Sequence, residues 1–279
     1  MFNILKMDLY RMFKSKSLMV IWGIMALLIV ATTYLGYTEM KDEQVQQENY
    51  ETAAEGEEVT NLGMSVSIPT EPGADVTVFD LVYGNLRGKF IALFIVIFAV
   101  LFSTADLTSG YIKNIGGQVR NRSHLILSKA LLLFLYTVLT LGIFVLVQAV
   151  SNQVFFGYVK WGDLSQLLQY MGSEALLHYA LALICMTIAI AARNNVFSMI
   201  VSVLLCMNVM TIIYSFVDKA AAKMGAADFR LLDYTVTGKM SLLTMEVTRK
   251  ESLGAVCVAF VFMTVMIVFG SMIFEKRDI

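Results

Sequence analysis

Apolar residues run through this chain in blocks, and the polar stretches between the blocks differ sharply from one another. Six blocks are long enough to cross a hydrocarbon layer of about 30 Å at about 1.5 Å per helical residue. They predict membrane spans over 18–37, 88–105, 130–150, 175–192, 196–217 and 252–274. Ahead of the first, Phe2 to Lys16 sets apolar Ile4, Leu5, Leu9, Met12 and Phe13 against Lys6, Arg11, Lys14 and Lys16. That spacing predicts a helix lying in the headgroup plane over 2–16, or a plain basic anchor for the span that follows. The fold class read from this pattern is an all-α integral membrane protein with six transmembrane helices. Its second span begins near Gly88, where Arg87 and Lys89 must sit close to the interface or face protein.

Composition agrees with the pattern. The chain has 279 residues, 58% of them apolar, and a mean hydropathy of +0.70. A soluble domain usually has about 45–50% apolar residues. The first apolar block follows a basic leader and is longer than the core of a signal peptide, which runs about 7–15 residues. The net charge of -1 hides a strong partition. Between Thr38 and Val78 stand ten acids and one base, Lys41, together with both prolines, Pro69 and Pro72, which predicts a solvated extracellular loop over 38–78. If the termini lie in the cytoplasm, inner segments hold eleven of the 21 Lys and Arg with four acids, and the longer outer segments hold 18 acids. A second outer segment, 218–251, contains a semi-apolar run suited to short helices on or in the outer leaflet. Three cysteines, Cys185, Cys206 and Cys257, each fall within an apolar block without close spacing, which predicts buried, inert thiols rather than a disulfide or zinc framework.

The central polar interruption is basic. Between the second and third spans, Lys113, Arg120, Arg122 and Lys129 stand against a single acid, Asp106, and Gly110 and the Gly116-Gly117 pair punctuate the stretch. Short basic connections stay on the cytoplasmic side. A short helix between glycine breaks suits docking on a partner. The spacing of Asp106, Gly110, Lys113, Arg122 and Lys129 resembles the first cytoplasmic loop of type-2 ABC exporter permeases, above all those of bacteriocin-immunity and antimicrobial-peptide exporters. This chain has aspartate where glutamate is commoner, and the glycine pair is extra.

The resemblance implies an elbow helix at the amino terminus and a cytoplasmic coupling helix within 107–123, with Asp106, Gly110, Tyr111, Lys113, Arg120, Arg122 and Lys129 coupling the membrane helices to an ATPase. It implies a bacterial cytoplasmic membrane, with both termini inside. The partners would be cytoplasmic ABC ATPase subunits, a second permease copy or paralogue, membrane lipid, and a peptide, drug or lipid-like substrate. ATP and Mg would be bound by the ATPase subunits, with no cofactor or metal in this chain and no nucleic-acid partner.

The residues themselves add constraints. There is no Gly-x-x-x-x-Gly-Lys-Ser/Thr cradle for ATP, no His-Glu-x-x-His and no Gly-x-Ser-x-Gly. The chain therefore reads as a permease subunit rather than an enzyme. Ser198, Ser202 and, less closely, Asn208 share a face of the fifth block and suit a translocation path or a helix contact. Glu174 and His178 are four apart, which points to a hydrogen-bonded pair at the outer edge of the fourth span, with a metal or proton site as the alternative. A second class of function is a non-transporting membrane sensor or scaffold whose acidic loop binds a ligand. An intramembrane enzyme is least favoured, because the blocks carry no charged pair at mid-span.

Overall fold

A computed structural model of the chain describes residues 2–42, 44–47, 50, 66–108, 123–226 and 228–275. All regular structure among the described residues is helical. In chain order the α-helices are α1 (Phe2–Lys14), α2 (Lys16–Glu39), α3 (Val78–Arg87), α4 (Phe90–Thr108), α5 (Ser123–Phe156), α6 (Leu164–Ala192), α7 (Asn195–Cys206), α8 (Met210–Lys223), α9 (Val236–Leu242) and α10 (Arg249–Glu275). A 3-10 turn, Leu231–Tyr234, precedes α9. Four helices, α2, α5, α6 and α10, are each long and apolar enough to cross a membrane. The number rises to six if the bent pairs α3–α4 and α7–α8 each count as one span.

The helices start where side chains can satisfy their free amides. Thr77 and Asp80 form a reciprocal capping box at α3, and the Asp163 carboxylate accepts from the Ser165 and Gln166 amides at α6, at 2.8 and 3.1 Å. Helix α6 forms the hub, packing on α4, α5, α7, α9 and α10, and is the most enclosed of the four long helices. By contrast α2 and α10 turn Ile24, Leu27, Phe260, Val265 and Phe269 outward, as helices bathed in lipid do.

Two faces of the bundle follow from the contacts. On one, Ser128 donates to Asp8 at 2.8 Å, Ser123 bonds Glu275, and Thr104 reaches Asn195 at 3.3 Å. This gathers α1, the end of α4, the start of α5, the start of α7 and the end of α10. On the other face, the Val78 amide donates to the Lys160 carbonyl at 2.7 Å, Lys160 pairs with Asp75, and Gln169 donates to the Val247 carbonyl at 3.1 Å.

Between the faces, aromatic stacking joins α2, α4 and α5. Tyr136 stacks on Phe98 at 3.8 Å and on Trp22 at 6.1 Å, and the Trp22 indole donates to Thr140 at 3.0 Å.

Several expectations need correction. The fifth apolar block does not form one straight helix: α7 ends at Cys206, and α8 leaves at 67°. Asn208 therefore lies off the helix that carries Ser198 and Ser202. The helix holding the fourth block begins at Leu164, so Glu174 and His178 lie inside it and are fully buried rather than at an outer edge. Cys185 and Cys206 are buried, but Cys257 is exposed on α10. The second outer segment forms the 3-10 turn and α9, and α9 packs against that turn and against α3, α6 and α10. The approach is close: a Cβ at Gly238 would meet the Leu232 carbonyl oxygen at 2.1 Å.

Candidate functional site

Two helix breaks meet inside the bundle. The chain bends by 55° between α3 and α4 and by 67° between α7 and α8. At the first break Lys89 adopts φ 57°, and at the second Asn208 adopts φ 58°. A left-handed backbone costs a residue with a Cβ about 1–2 kcal/mol; Asn tolerates it better than Lys because its amide bonds locally. Both side chains are buried, and the Lys89 ammonium donates to the Asn208 side-chain oxygen. Strain at two breaks is thus tied together by one charge-assisted hydrogen bond. The positive side chain that the sequence placed near the start of the second span faces protein, as its cost in lipid requires.

Behind this contact, α6 presents buried polar side chains. Glu174 and His178 are completely enclosed. The His178 Nδ1 lies 2.8 Å from the Glu174 backbone carbonyl and 3.1 Å from the Glu174 carboxylate. Lys89 interacts electrostatically with Glu174, and with Cys206 at the end of α7. One turn earlier, Tyr170 packs its ring against Phe79 and Tyr83 of α3, at 5.8 and 5.4 Å. The hydroxyl of Tyr170, the Nε2 of His178 and the side-chain oxygen of Gln166 are buried without a hydrogen-bond partner, and neither Glu174 carboxylate oxygen has one beyond the His178 contact. No group of three metal-ligating side chains forms among the described residues.

A second feature lies between α2 and α3. A half-open cleft of about 290 Å³ is lined by Thr32, Thr33, Glu39, Ile68, Asn85 and Phe90, among others. Its floor is a closed polar network. Gln148 of α5 donates to Thr33 at 2.9 Å, and Asn85 donates to Gln148 at 3.4 Å and to the Leu81 carbonyl at 2.8 Å.

The residues singled out from sequence fall in three places. Gly110, Tyr111, Lys113, Arg120 and Arg122 lie outside the described residues, as does the side chain of Asp106 at the end of α4. Lys129 is buried near the start of α5, donates to the Phe102 carbonyl at 3.3 Å, and lies over the Phe102 ring at 4.7 Å. It thereby ties α5 to the last turns of α4. Ser198 and Ser202 are buried on α7, and Ser198 donates to the Asn194 carbonyl at 2.8 Å. Asn208 is the one member of that trio that meets Lys89.

Lys89, Glu174 and His178 put ionisable side chains inside the bundle, where the sequence had set them at the edges of their apolar blocks. Their signal was present as Gln166, Tyr170, Glu174 and His178 at a spacing of four, a continuous stripe on one helix. What the sequence could not supply was the break that turns Lys89 inward.

These features define the class of molecule: an all-helical chain with four to six candidate membrane-spanning helices and ionisable side chains in its interior. Residues 58–279 match the family model described as a protein of unknown function, DUF2705, and the chain belongs to that family. No curated protein matches it.

Proposed function

We propose that this chain is the permease subunit of an ATP-driven exporter in a bacterial cytoplasmic membrane, working with a second permease copy or paralogue and with separate ATPase subunits. In this reading the bent pairs count as spans, giving six. Helix α1 is an elbow on the inner leaflet, and both termini are cytoplasmic. The basic segment between α4 and α5 is the coupling element.

The observation that carries the reading is how rigidly that segment's two flanking helices are joined. Lys129 of α5 grips the Phe102 carbonyl of α4, while Ser128 bonds Asp8 of α1 and Ser123 bonds Glu275 of α10. A push delivered to residues 109–122 would therefore move α4 and α5 together, and they would carry α1 and the end of α10 with them. Chains of packed elements with two discrete arrangements transmit such motion. The cargo class implied by the resemblance is a peptide, drug or lipid-like amphiphile.

The test is purification of the chain from its native membrane in mild detergent. A co-purifying ATP-binding protein, lost on Lys113→Glu with Arg122→Glu, supports the proposal. A chain that purifies without one, and is unaffected by those changes, contradicts it. The cleft beside the acidic 38–78 region favours the second reading, a ligand-binding sensor or scaffold, and that same negative outcome would favour it.

A further inference from the structure

Four polar side chains occupy one stripe of α6 at a spacing of four: Gln166, half-buried with its side-chain oxygen enclosed, and the buried Tyr170, Glu174 and His178. Residues four apart on a helix are neighbours, about 6 Å along the axis, so the stripe runs about 18 Å from the first turn of α6 into the bundle. Its mouth is beside Asp163, the exposed N-cap of α6 in the 157–163 connection. At each step an atom able to form hydrogen bonds is buried and open: the Gln166 oxygen, the Tyr170 hydroxyl, the Glu174 carboxylate and the His178 Nε2. A single such atom costs about 1–3 kcal/mol when left unmatched. Four in register are far too costly to be tolerated dry, and buried waters with about three partners each are the ordinary remedy.

We propose that this stripe is a hydrated file that carries protons between the Asp163 face and a proton-binding pair, Glu174 and His178. Each member has donor or acceptor capacity for a relay. The Tyr170 hydroxyl both donates and accepts, the Gln166 oxygen accepts, and the carboxyl and imidazole exchange a proton outright.

The charges around the pair set its balance. Lys89 at the α3–α4 break interacts electrostatically with Glu174, as do Tyr83 on α3 and Tyr170 on α6 itself; Arg87 at the end of α3 acts on both tyrosines, and Cys206 at the end of α7 acts on Lys89. On the other helices packed against α6, Lys239 of α9 is paired with Asp233 at 3.6 Å. Glu251 of α10 is held by the Thr248 amide and hydroxyl, and Ser252 bonds Ser173 at 3.0 Å. Because Lys89 also holds Asn208, a proton arriving at Glu174 weakens the attraction on the ammonium that joins the two helix breaks. This inference is independent of any ATPase.

Infrared spectroscopy of the full chain in lipid nanodiscs tests it, with pH stepped from about 9 to about 4, across the carboxyl and imidazole ranges. The expected result is a protonated-carboxyl band that disappears in Glu174→Gln, shifts in His178→Gln, and exchanges promptly in heavy water. Gln166→Leu, which plugs the mouth without touching the carboxyl, should leave the band in place and slow its exchange. A band unaffected by Glu174→Gln would overturn the proposal, as would exchange equally fast in Gln166→Leu. If Glu174→Gln fails to fold, the Gln166→Leu comparison alone decides, because prompt exchange in wild type and slow exchange in the variant support the file and any other pair of rates refutes it.

Discussion

Two of the sites where this bundle buries polar side chains, a three-residue network on α2, α3 and α5 and a stripe on α6, match them in opposite ways. Where α2, α3 and α5 meet, Gln148, Thr33 and Asn85 bond one another and the Leu81 carbonyl, so the network is closed. Where α6 faces α3 and the two helix breaks, Gln166, Tyr170, Glu174 and His178 present atoms that protein does not match. A closed network inside a membrane bundle fastens helices, at about 0.6 kcal/mol per bond on average. An open one fastens little, and its side chains persist because water or protons use them. The difference separates the part of the molecule that holds shape from the part that changes state.

The sharpest way to break this comparison is at the contact joining the two breaks. Asn208→Ala removes the acceptor for the buried Lys89 ammonium and should lower stability by about 3–5 kcal/mol, read as a fall in Tm in detergent. The double variant Lys89→Met with Asn208→Leu should recover most of that loss, since replacing both partners of a buried hydrogen bond by apolar groups is nearly neutral. A single variant as stable as wild type would show that the breaks are not tied there.

Next in size, Gln148→Leu opens the closed network and strands Thr33 and Asn85, for an expected loss of about 2 kcal/mol by thermal or denaturant unfolding. Tyr179→Phe, which removes a hydroxyl that donates to the Ala130 carbonyl at 3.1 Å, should cost about 1 kcal/mol. Tyr170→Phe removes a hydroxyl with no protein acceptor and should stay within about 0.5 kcal/mol of wild type. Equal losses for the two tyrosines would erase the distinction between closed and open regions.

The smallest effect lies outside the bundle. The Asp75 carboxylate bonds the Lys160 ammonium and raises its pKa above the ordinary 10.5. Because the folded pKa is the higher one, the pair's contribution is complete below the unfolded value and fades as pH climbs through the folded one. Both partners are exposed, so Lys160→Met should change Tm little at neutral pH and not at all in strong alkali.

Much of the scaffold was legible in the sequence. The lengths of the apolar blocks gave the long helices, whereas the starts of α3 and α6, capped by Thr77 and Asp163, lie ahead of the blocks. The breaks were not legible. Nothing local marks Lys89 or Asn208 as left-handed, because the strain there is held by a hydrogen bond between residues distant along the chain. The burial of Glu174 was not legible for a related reason. Ser173 and Glu174 stand just ahead of the fourth apolar block, yet both are buried, and Ser173 meets Ser252 of α10. Half of the open stripe, Glu174 with His178, was visible as a pair. Its extension through Tyr170 and Gln166 was visible only as spacing, since orphaned atoms emerge from packing alone.

Water-edited solid-state NMR of the isotopically labelled chain in lipid tests the central contrast most directly, by timing magnetisation transfer from water protons to individual side chains. The Glu174 carboxyl and His178 imidazole should receive it nearly as fast as exposed acids such as Asp163, while the Gln148 amide, equally buried, should lag well behind. If Glu174 and Gln148 receive magnetisation at the same slow rate, the stripe on α6 is dry and the account of it is wrong.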